Sequence, residues 1–510
     1  TGAGVAQQIT INPNSLIFGK VTAGTNKDTT FTIGNSGNWV LRVNSISLSG
    51  ANSQNFSLSG FTTPFDIVAG GTKIVTVRYI SSVSGLKNAT VTITSDDPDS
   101  PTKTISLSAE TEAVATIINQ TPDNYADFGQ DKQISFALSH QVATNYVQVF
   151  YKPGGSSKYD SANASVAASG YSFTFNKNLV TSRGLDYYIK VTTPTGIITY
   201  PETNYIENPL HIRVRIPVFN VPNELKGSVY SMLSIPFDFG ASNFRDEMLK
   251  LFGSYDPYTW RIFYWQNGAY VELSETNNIS LKAGDGFWII YSKNQTISFS
   301  NIVSTPANEP YKITLKPGWN QIGNPFMFAV PLTAISIPAG KNVENILWKW
   351  ESEKYTEESA SLAPFTGYFI LNNEPINVDI LVYPIIVPVI AGKSGVPNQT
   401  SNIENSVKIT ANDETGKTDN VRIGIISMNK LSNYSKPPFS PGKTLDLRIL
   451  EGAKEYASYF KDLSNGGAVW SVRLSNLVKG KKYSVSFEPG SEFIKSFSIA
   501  VINSETGEKV

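Results

Sequence analysis

Cysteine is missing from the 510 residues, and histidine occurs only twice, at His140 and His211. Without cysteine the chain cannot form disulfides, use a thiol nucleophile, or hold zinc or an iron–sulfur cluster through sulfur. Two histidines in separate strand-like stretches do not make a Ser-His-Asp triad, and we expect both to be structural. The HExxH, P-loop and strand-linked GxGxxG motifs are missing as well. We therefore predict a protein that is not an enzyme and uses no cofactor or metal.

A charge imbalance and a long apolar run are also missing. The 42 Lys and Arg residues balance 42 Asp and Glu residues, so the chain lacks the basic field that nucleic acid or an anionic membrane would need. The longest apolar run, residues 380–391, contains Pro384 and Pro388 and is too short to span a bilayer as a helix. We expect neither a nucleic-acid partner nor a membrane span.

The first residues are Thr-Gly-Ala-Gly-Val, without an initial Met. A mature chain whose leader peptide has been removed begins in this way, and so would a recombinant fragment. We expect a secreted protein.

What the chain does have is alternation of apolar and polar residues in short runs, such as 31–33, 147–151 and 483–487, with turn residues between them. Alternation with a period of two is typical of strands, and many short strands separated by turns are typical of β-sandwiches. The predicted fold class is all-β: a string of immunoglobulin- and fibronectin-like β-sandwiches around a duplicated aromatic-rich β module. The predicted domains are residues 1–110, 111–206, 207–300, 301–383 and 405–510, with a linker at 384–404.

The aromatic-rich stretch is written twice. The opening that leads from Tyr230 to Pro236-Phe237 returns as the opening that leads from Trp319 to Pro325-Phe326, and residues 286–290 return as 367–371. The first copy also contains a predicted helix, Asn243–Phe252, with Asn243 as its cap and one apolar face. The second copy has a shorter counterpart, or a turn, near 331–335.

The tryptophans of this stretch have two interpretations. Trp260, Trp265, Trp348 and Trp350 could stack on a glycan, because exposed aromatic rings give a large contact area. They could equally form a core, which the recurrence of equivalent aromatics in both copies favours. Asp285 and Glu351 are the carboxylates of the module that could serve a glycosidase, but we interpret them as surface or turn residues.

The first hundred residues resemble a known family. Leu16-Ile-Phe18-Gly19, Asn35-Ser-Gly37-Asn38 and Ser95-Asp-Asp-Pro98-Asp99-Ser-Pro101 are similar to the choice-of-anchor D and ASPM–SPD-2–hydin type of immunoglobulin-like domain. The resemblance implies a scaffold or adhesion module without catalytic residues. The aspartates at 96–99 suggest calcium, but one short turn offers too few oxygens, and turn formation explains them better.

Later stretches resemble secreted proteins of the Bacteroidota and Ignavibacteria. Tyr151-Lys-Pro-Gly154 with its surroundings is similar to a fibronectin-like module, and residues 318–326 are similar to the opening of a secreted aromatic module. The stretch around Lys436-Pro437-Pro438-Phe439 resembles the β domain that precedes the sorting signal in type IX-secreted proteins. The resemblance implies an extracellular or cell-surface location. By comparison with that domain, the last sandwich looks one or two strands short.

Two apolar segments need a partner. The N-terminal stretch with Val5, Ile9 and Ile11 can extend as a strand, and the run with Ile385, Ile386 and Val387 would be an adhesive strand if it were free. We predict that both are subunit-contact strands and that one subunit's strand completes the unfinished sheet of the next. The predicted function is thus a structural or adhesive surface protein, a filament or surface-layer subunit, with itself or other cell-surface molecules as partners. The alternative is a carbohydrate-binding protein or the accessory region of a secreted glycan-degrading enzyme.

Overall fold

The structure is a computed structural model. It describes residues 6–121, 123–140, 142, 144–194, 196–222, 224–384, 406–425, 433–462, 467–491, 493, 498–504 and 506–507. Over these residues the protein is all-β with immunoglobulin-like sandwiches, which confirms the predicted fold class. In the same ranges no helix is both long and apolar enough to cross a membrane.

The chain divides into two compact units. Unit 1 consists of residues 1–118, 138–145 and 192–198, and unit 2 consists of residues 119–137, 146–191 and 199–510. The five predicted domains are finer than this division, and their borders stay predictions.

Most of unit 1 is one sandwich of two sheets. Its strands are β1 (Ile9–Asn12), β2 (Ser15–Thr22), β3 (Asn26–Asn35), β4 (Leu41–Ser49), β5 (Phe56–Ser59), β6 (Phe65–Ile67), β7 (Thr72–Ile80), β8 (Gly85–Ser95) and β9 (Thr102–Glu112). The sheets have the orders β1-β3-β7-β5 and β2-β9-β8-β4-β6. Between them Phe18, Phe56 and Tyr79 meet in the core, with ring centroids 4.9–5.7 Å apart. A 3-10 turn, Ser53–Asn55, precedes β5.

Ten further strands lie among the described residues between 117 and 220. They are β10 (Ile117–Asn119), β11 (Tyr125–Asp127), β12 (Lys132–Leu138), β13 (Tyr146–Pro153), β14 (Asp160–Asn163), β15 (Ser165–Ala167), β16 (Gly170–Phe175), β17 (Leu185–Thr193), β18 (Gly196–Tyr200) and β19 (Leu210–Asn220). An apolar aromatic group forms the core of this part of unit 2, where Phe175 lies edge-on to Tyr151 and Tyr187.

The duplicated module follows. Its elements are β20 (Ser231–Ser234), β21 (Phe237–Asp238), α1 (Phe244–Phe252), β22 (Trp260–Gln266), β23 (Ala269–Glu272), β24 (Gly286–Tyr291), β25 (Ser298–Ser304), β26 (Tyr311–Leu315), β27 (Gly318–Gly323), β28 (Val330–Pro331), β29 (Ile335–Ser336), β30 (Leu347–Glu351), β31 (Lys354–Glu358), β32 (Ser361–Leu362), β33 (Gly367–Asn372) and β34 (Val378–Val382). The first copy forms a sheet with the order β20-β24-β22-β23, and the second forms one with the order β27-β33-β30-β31. Position by position, the strands of the two sheets come from equivalent parts of the repeat. The duplication seen in the sequence is therefore a duplication of structure.

The predicted helix and turn are confirmed. In α1 the Asn243 side chain accepts a hydrogen bond from the Asp246 N–H at 3.0 Å, as an N-cap does. The helix ends at Gly253, whose φ of 81° suits glycine. The second copy has a 3-10 turn, Leu332–Ala334, in place of the helix.

The two copies contact each other with approximate two-fold symmetry. Leu233 pairs with Thr366 across the copies, and Asp285 pairs with Ile322. Leu233 and Ile322 are equivalent residues, and so are Asp285 and Thr366, because the sequence offsets are those of the repeat. Each contact is thus matched by its symmetric counterpart, as in an isologous dimer interface.

A continuous sheet links the module to the preceding strands. The start of β19 pairs with β17, with Leu185 opposite Ile212, and the rest of β19 pairs with β25, with Ile216 opposite Ile302. This sheet therefore runs through the predicted domain border between residues 206 and 207.

The last part of unit 2 is one seven-stranded sheet. Its strands are β35 (Ser406–Asp413), β36 (Thr418–Ile425), β37 (Tyr434–Ser435), β38 (Asp446–Glu451), β39 (Lys454–Lys461), β40 (Ser471–Ser475) and β41 (Tyr483–Pro489). The order is β40-β38-β39-β36-β35-β41, with β37 beside β39. On the core-facing side, Val472 of β40 lies opposite the buried Ile449, and Val485 of β41 lies opposite the buried Ala411. Val472 is nevertheless 38% exposed and Val485 45% exposed, so this face is incompletely covered at both edges.

Candidate functional site: an aromatic groove

The predicted subunit-contact residues are only partly described. Val5, Ile385, Ile386 and Val387 lie outside the described residues. Ile9 and Ile11 form part of β1, opposite Asn35 and Ile33 of β3 in the same chain. Ile9 is 3% exposed. The stretch is a strand, as predicted, but this strand is already paired, so a contact with another subunit stays a prediction.

A carboxylate holds β1 in place. The Ile9 N–H donates to Asp97 Oδ2 at 2.7 Å, and Asp97 Oδ1 accepts from the N–H groups of Asp99 and Ser100 at 2.9 and 3.0 Å. Burial alone would raise the pKa of Asp97, but these three backbone donors lower it below its ordinary value. The aspartate turn thus serves turn formation, the interpretation that the sequence favoured over calcium.

Two of the four candidate tryptophans are core residues. Trp260 is 1% exposed and packs against Phe252 and Tyr255, with ring centroids 5.8 and 5.4 Å away. Trp348 is 4% exposed in the same module. A buried ring cannot stack on a sugar unless the core opens, so glycan stacking by Trp260 and Trp348 is corrected to core packing.

The other two tryptophans are half-buried and differ in their surroundings. Trp350 lies edge-on to Trp288 at 5.0 Å and to Tyr355 at 4.9 Å, and its indole N–H is buried without a described hydrogen-bond partner. Trp265 lies at the edge of the same aromatic cluster and lines a groove. Of the four candidates, Trp265 is therefore the one placed to meet a ligand.

The groove has a volume of about 620 Å³ and lies between the duplicated module and the last sheet of unit 2. Its lining residues are Trp265, Ala269, Tyr270, Trp319, Leu371, Asn373, Ser435, Lys436, Pro438, Phe439, Arg448, Ala453, Lys454 and Glu455. The volume is within the usual range for small-molecule sites, roughly 300–1,000 Å³.

Three aromatic rings form one wall of the groove. Trp265 and Trp319 both lie edge-on to the buried Phe369, at 6.3 and 6.1 Å, and Tyr270 lies edge-on to Trp265 at 4.8 Å. The backbone N–H of Trp265 in β22 donates to Gln321 Oε1 of β27 at 3.1 Å. This bond fixes the two tryptophan-bearing strands relative to each other.

Trp319 was not singled out from the sequence as a ligand residue. Its equivalent in the first copy, Tyr230, lies against Gly442, where an added Cβ would be 2.7 Å from the Tyr230 ring. The loop between β37 and β38 thus contacts the first copy's ring, whereas Trp319 stays half-buried in the groove. The repeat alone gives no signal for this difference, because it makes the two positions equivalent.

The floor of the groove is fixed by two tyrosines. The Tyr270 hydroxyl donates to the Phe439 carbonyl at 2.8 Å, and the Tyr355 hydroxyl donates to the Pro438 carbonyl at 2.9 Å. Burial raises the pKa of both Tyr270 and Tyr355, so both hydroxyls remain protonated donors at neutral pH.

The buried cations of the groove are paired with carboxylates. Arg448 lies 3.9 Å above the Phe439 ring and donates to Asp446 at 2.6 and 3.1 Å and to Glu455 at 2.8 Å. Lys436 forms a buried ion pair with Asp419. The two buried cations are therefore neutralised, and the exposed Lys454 is the lining cation for which the described residues provide no ion pair.

The two glycosidase candidates do not form a site. Asp285 lies in the turn before β24, where its Oδ2 accepts from the Lys282 N–H at 2.9 Å. Burial raises the pKa of Asp285 to about 6, against the opposing effect of this hydrogen bond and of nearby lysines. Glu351 is exposed at the end of β30, with Lys349 at 3.5 Å. The two carboxylates contact different neighbours and no described residue bridges them.

Among the described residues we looked at possible metal ligands and at the surroundings of the two histidines. Over those ranges no three His, Asp or Glu side chains cluster as a metal site requires. His211 is buried with its Nδ1 2.6 Å from Asp186 Oδ1, and His140 contacts the Ala113 carbonyl through its Nε2 at 3.1 Å.

No protein-family model matches the chain, and no curated protein matches it. Among solved structures, a Porphyromonas gingivalis protein of unknown function is similar at 19% identity, over 22% of this chain and 49% of that chain, with a TM-score of 0.18. The match thus spans about half of that protein. Three immunoglobulin domains of titin are similar at 10% identity, over 58% of this chain and 98% of that chain, with a TM-score of 0.25. A Caenorhabditis elegans member of the MSP family is similar at 10% identity, over 20% of this chain and 97% of that chain, with a TM-score of 0.15.

Proposed function

We propose that this chain is a non-enzymatic extracellular protein with a structural or adhesive role. One observation carries the proposal: a single aromatic core is shared by both copies of the module and by the last sheet. Its buried members are Met232, Phe263, Trp288, Ile346, Trp348, Tyr355, Phe369 and Ala457. Buried aromatic residues contribute large contact areas and specific ring geometry, so this core fuses three parts of unit 2 into one body. A fused body without a catalytic constellation in its described residues suits a load-bearing or surface-presenting protein.

Location and adhesion can be tested on the cells that produce the protein. We expect brief protease treatment of intact cells to remove the chain, and an antibody to label their surface. Purified full-length chain should bind to those cells or to their natural substrate. Protection from protease in intact cells, with digestion only after lysis, would overturn the proposal.

Assembly through strand addition is the finer part of the proposal. The core-facing sides of β40 and β41 are incompletely covered at Val472 and Val485, and an added strand would cover them and use the edge hydrogen bonds that no described strand takes up. The donor from another subunit would have to leave its own sheet if it were β1, because β1 pairs with β3 and is held by Asp97.

Polymerisation of the full chain tests this part. Sedimentation and electron microscopy should show end-to-end polymers in the wild type and only monomers in Val472→Lys with Val485→Lys. The matched control is Val166→Lys, an equally apolar exposed residue on β15, which should polymerise normally. A wild-type chain that stays monomeric at high concentration, or a double variant that polymerises, would exclude strand addition at these edges.

Carbohydrate binding is the second candidate function. The specific observation in its favour is the aromatic groove, in which Trp265 and Trp319 are half-buried beside hydrogen-bonding side chains. A glycan array probed with the full chain tests this function, and the absence of any bound glycan would exclude it.

A further inference from the structure

We propose that the aromatic groove binds an uncharged saccharide, with Trp265 and Trp319 as the stacking residues. The inference rests on the second candidate function and gives it a ligand class and a site. It follows from four properties of the groove, namely ring placement, unused donors, charge pairing and rigidity.

The rings are placed for stacking. Trp265 comes from β22 of the first copy and Trp319 from β27 of the second, and each ring packs edge-on to the buried Phe369. Supported rings keep their orientation, so little side-chain freedom is lost when a ligand binds. Tryptophan offers an apolar face to sugar C–H groups and an N–H group to a hydroxyl.

Hydrogen-bond donors remain for the ligand. Neither indole N–H, of Trp265 or of Trp319, donates to a residue in the described part of the chain, and neither is among the buried groups without a partner. Lys454 is exposed on the same groove, and the Asn373 side chain, which also hydrogen-bonds Glu344, lines it. A sugar hydroxyl can both donate and accept, so it can pair with groups of either kind.

The charge pairing selects an uncharged ligand. Arg448 and Lys436 are buried and neutralised by Asp446, Glu455 and Asp419. An acidic saccharide would find only the exposed Lys454, whose charge is screened by water and salt, and a basic ligand would find no free carboxylate among the lining residues. Since an uncompensated buried charge is strongly unfavourable, a neutral hydroxyl-rich molecule fits best.

Proline-rich peptides also bind in aromatic grooves, where donors hold their carbonyl groups. The hydroxyls of Tyr270 and Tyr355 already donate to the protein's own Phe439 and Pro438 carbonyls, whereas the free indole N–H groups can serve a peptide carbonyl or a sugar hydroxyl. A polyproline has no N–H group to donate to acceptors that line the groove, such as the Asn373 side-chain oxygen, and a sugar hydroxyl can both donate and accept. The saccharide is therefore the occupant that the geometry favours.

Titration of the full chain with neutral oligosaccharides tests the proposal. The probes are neutral gluco-, xylo- and manno-oligosaccharides, with oligogalacturonate as the acidic probe and decaproline as the peptide probe. We expect binding of at least one neutral oligosaccharide, unaffected by salt, with a change in tryptophan fluorescence. Trp265→Ala and Trp319→Ala should weaken this binding at least about tenfold.

Two variants guard against loss of folding and one serves as the matched control. Trp319→Phe keeps a ring against Phe369 but removes the N–H donor, and Lys454→Ala changes only an exposed side chain, so both should fold normally and bind more weakly. Trp39→Ala removes a tryptophan that is 69% exposed in unit 1 and should leave binding unchanged. Equal binding by Trp319→Phe and the wild type would remove the hydrogen-bonding role assigned to this indole.

Three results would overturn the proposal: binding of none of the neutral oligosaccharides, binding of the acidic or peptide probe alone, and saccharide binding that survives both alanine variants. The outcome is separable from the adhesive function. If the chain still adheres to cells when both groove tryptophans are replaced, adhesion stands and the groove is excluded as its cause.

Discussion

Tyr270 and Tyr355 occupy equivalent positions in the two copies of the module, and their hydroxyls donate to neighbouring carbonyls of one segment, those of Phe439 and Pro438. Each tyrosine lies opposite a tryptophan in its own hairpin, Trp265 or Trp350. The duplication has thus produced two similar donors side by side. The segment that they hold is a single asymmetric chain, so it breaks the symmetry and leaves one side as the groove.

Removing either hydroxyl should loosen this segment. Tyr270→Phe or Tyr355→Phe leaves a carbonyl without its donor, and each should lower the free energy of unfolding of unit 2 by roughly 1–3 kcal/mol. Chemical denaturation measures this loss, and hydrogen exchange at the Ser435, Lys436 and Phe439 amides should become faster. Tyr258→Phe, at an exposed tyrosine, is the control. Unchanged exchange in both groove variants would mean that the tyrosines do not fix the floor.

The contact between the copies depends on two equivalent glycines. A Cβ on Gly286 would lie 2.5 Å from the Ile322 carbonyl oxygen, and a Cβ on Gly367 would lie 2.6 Å from the Leu233 carbonyl oxygen. Gly286→Ala and Gly367→Ala should each lower the free energy of unfolding by roughly 1–3 kcal/mol through overpacking. Because the contact is symmetric, the two losses should be similar.

Gly467→Ala is the control for this pair, since nothing lies within 4 Å of its added Cβ and its backbone is not in the left-handed region. Urea unfolding of the three variants makes the comparison. If the module variants unfold at the control's urea concentration, the copies do not meet as closely as described.

The local strand pattern was readable from the sequence, whereas strand partners were not. Alternation predicted that Ile9 and Ile11 extend as a strand, and they do so in β1. What the alternation cannot specify is which edge the strand pairs with, because any edge with a matching apolar face satisfies it. The pairing with β3 is fixed by Asp97, a residue distant in sequence whose role depends on the fold.

Burial of the aromatic residues was harder still to predict. Two residues in positions i and i+2 share a strand face, and this placed Trp348 and Trp350 together correctly. Yet Trp348 is buried and Trp350 half-buried, because their cover comes from the other copy and the last sheet. The groove is built from segments distant in sequence, around Trp265, Trp319 and Lys454, and no periodic signal connects such segments.

Loss of the Asp97 carboxylate should free β1. Its pKa lies below the ordinary value because backbone N–H groups outweigh the effect of burial. A carboxyl group whose pKa is lowered by folding stabilises the folded state above about pH 4. This stabilisation is lost as the pH falls through the folded-state pKa. Asp97→Ala should therefore lower the stability of unit 1 at neutral pH by roughly 1–3 kcal/mol and weaken its acid dependence.

Thermal melts between neutral and acidic pH, with hydrogen exchange at the Ile9 amide, provide the measurement for Asp97→Ala. The neighbouring Asp99→Ala is the control, because the Asp99 side chain is exposed. An Ile9 amide that stays equally protected in Asp97→Ala would show that the pairing with β3 holds β1 without the carboxylate.

Asp285 should have the opposite pH dependence. Burial raises its pKa to about 6. Between about pH 4 and 6 the folded state therefore keeps a proton that the unfolded state has already released. The stability that the protonated carboxyl contributes is fully present below about pH 4 and is lost as the pH rises through 6. At pH 7.5 the buried charge therefore destabilises the contact between the copies.

Asp285→Asn should then be more stable than the wild type at pH 7.5, by on the order of 1–3 kcal/mol, and the difference should shrink toward pH 4. The asparagine oxygen can still accept from the Lys282 N–H, so the turn is preserved. Melting curves over this pH range make the test, with Glu351→Gln as the exposed-carboxylate control. A variant that is less stable than the wild type by the same amount at both pH values would show that the ionised carboxylate's hydrogen bond, rather than its desolvation, governs this turn.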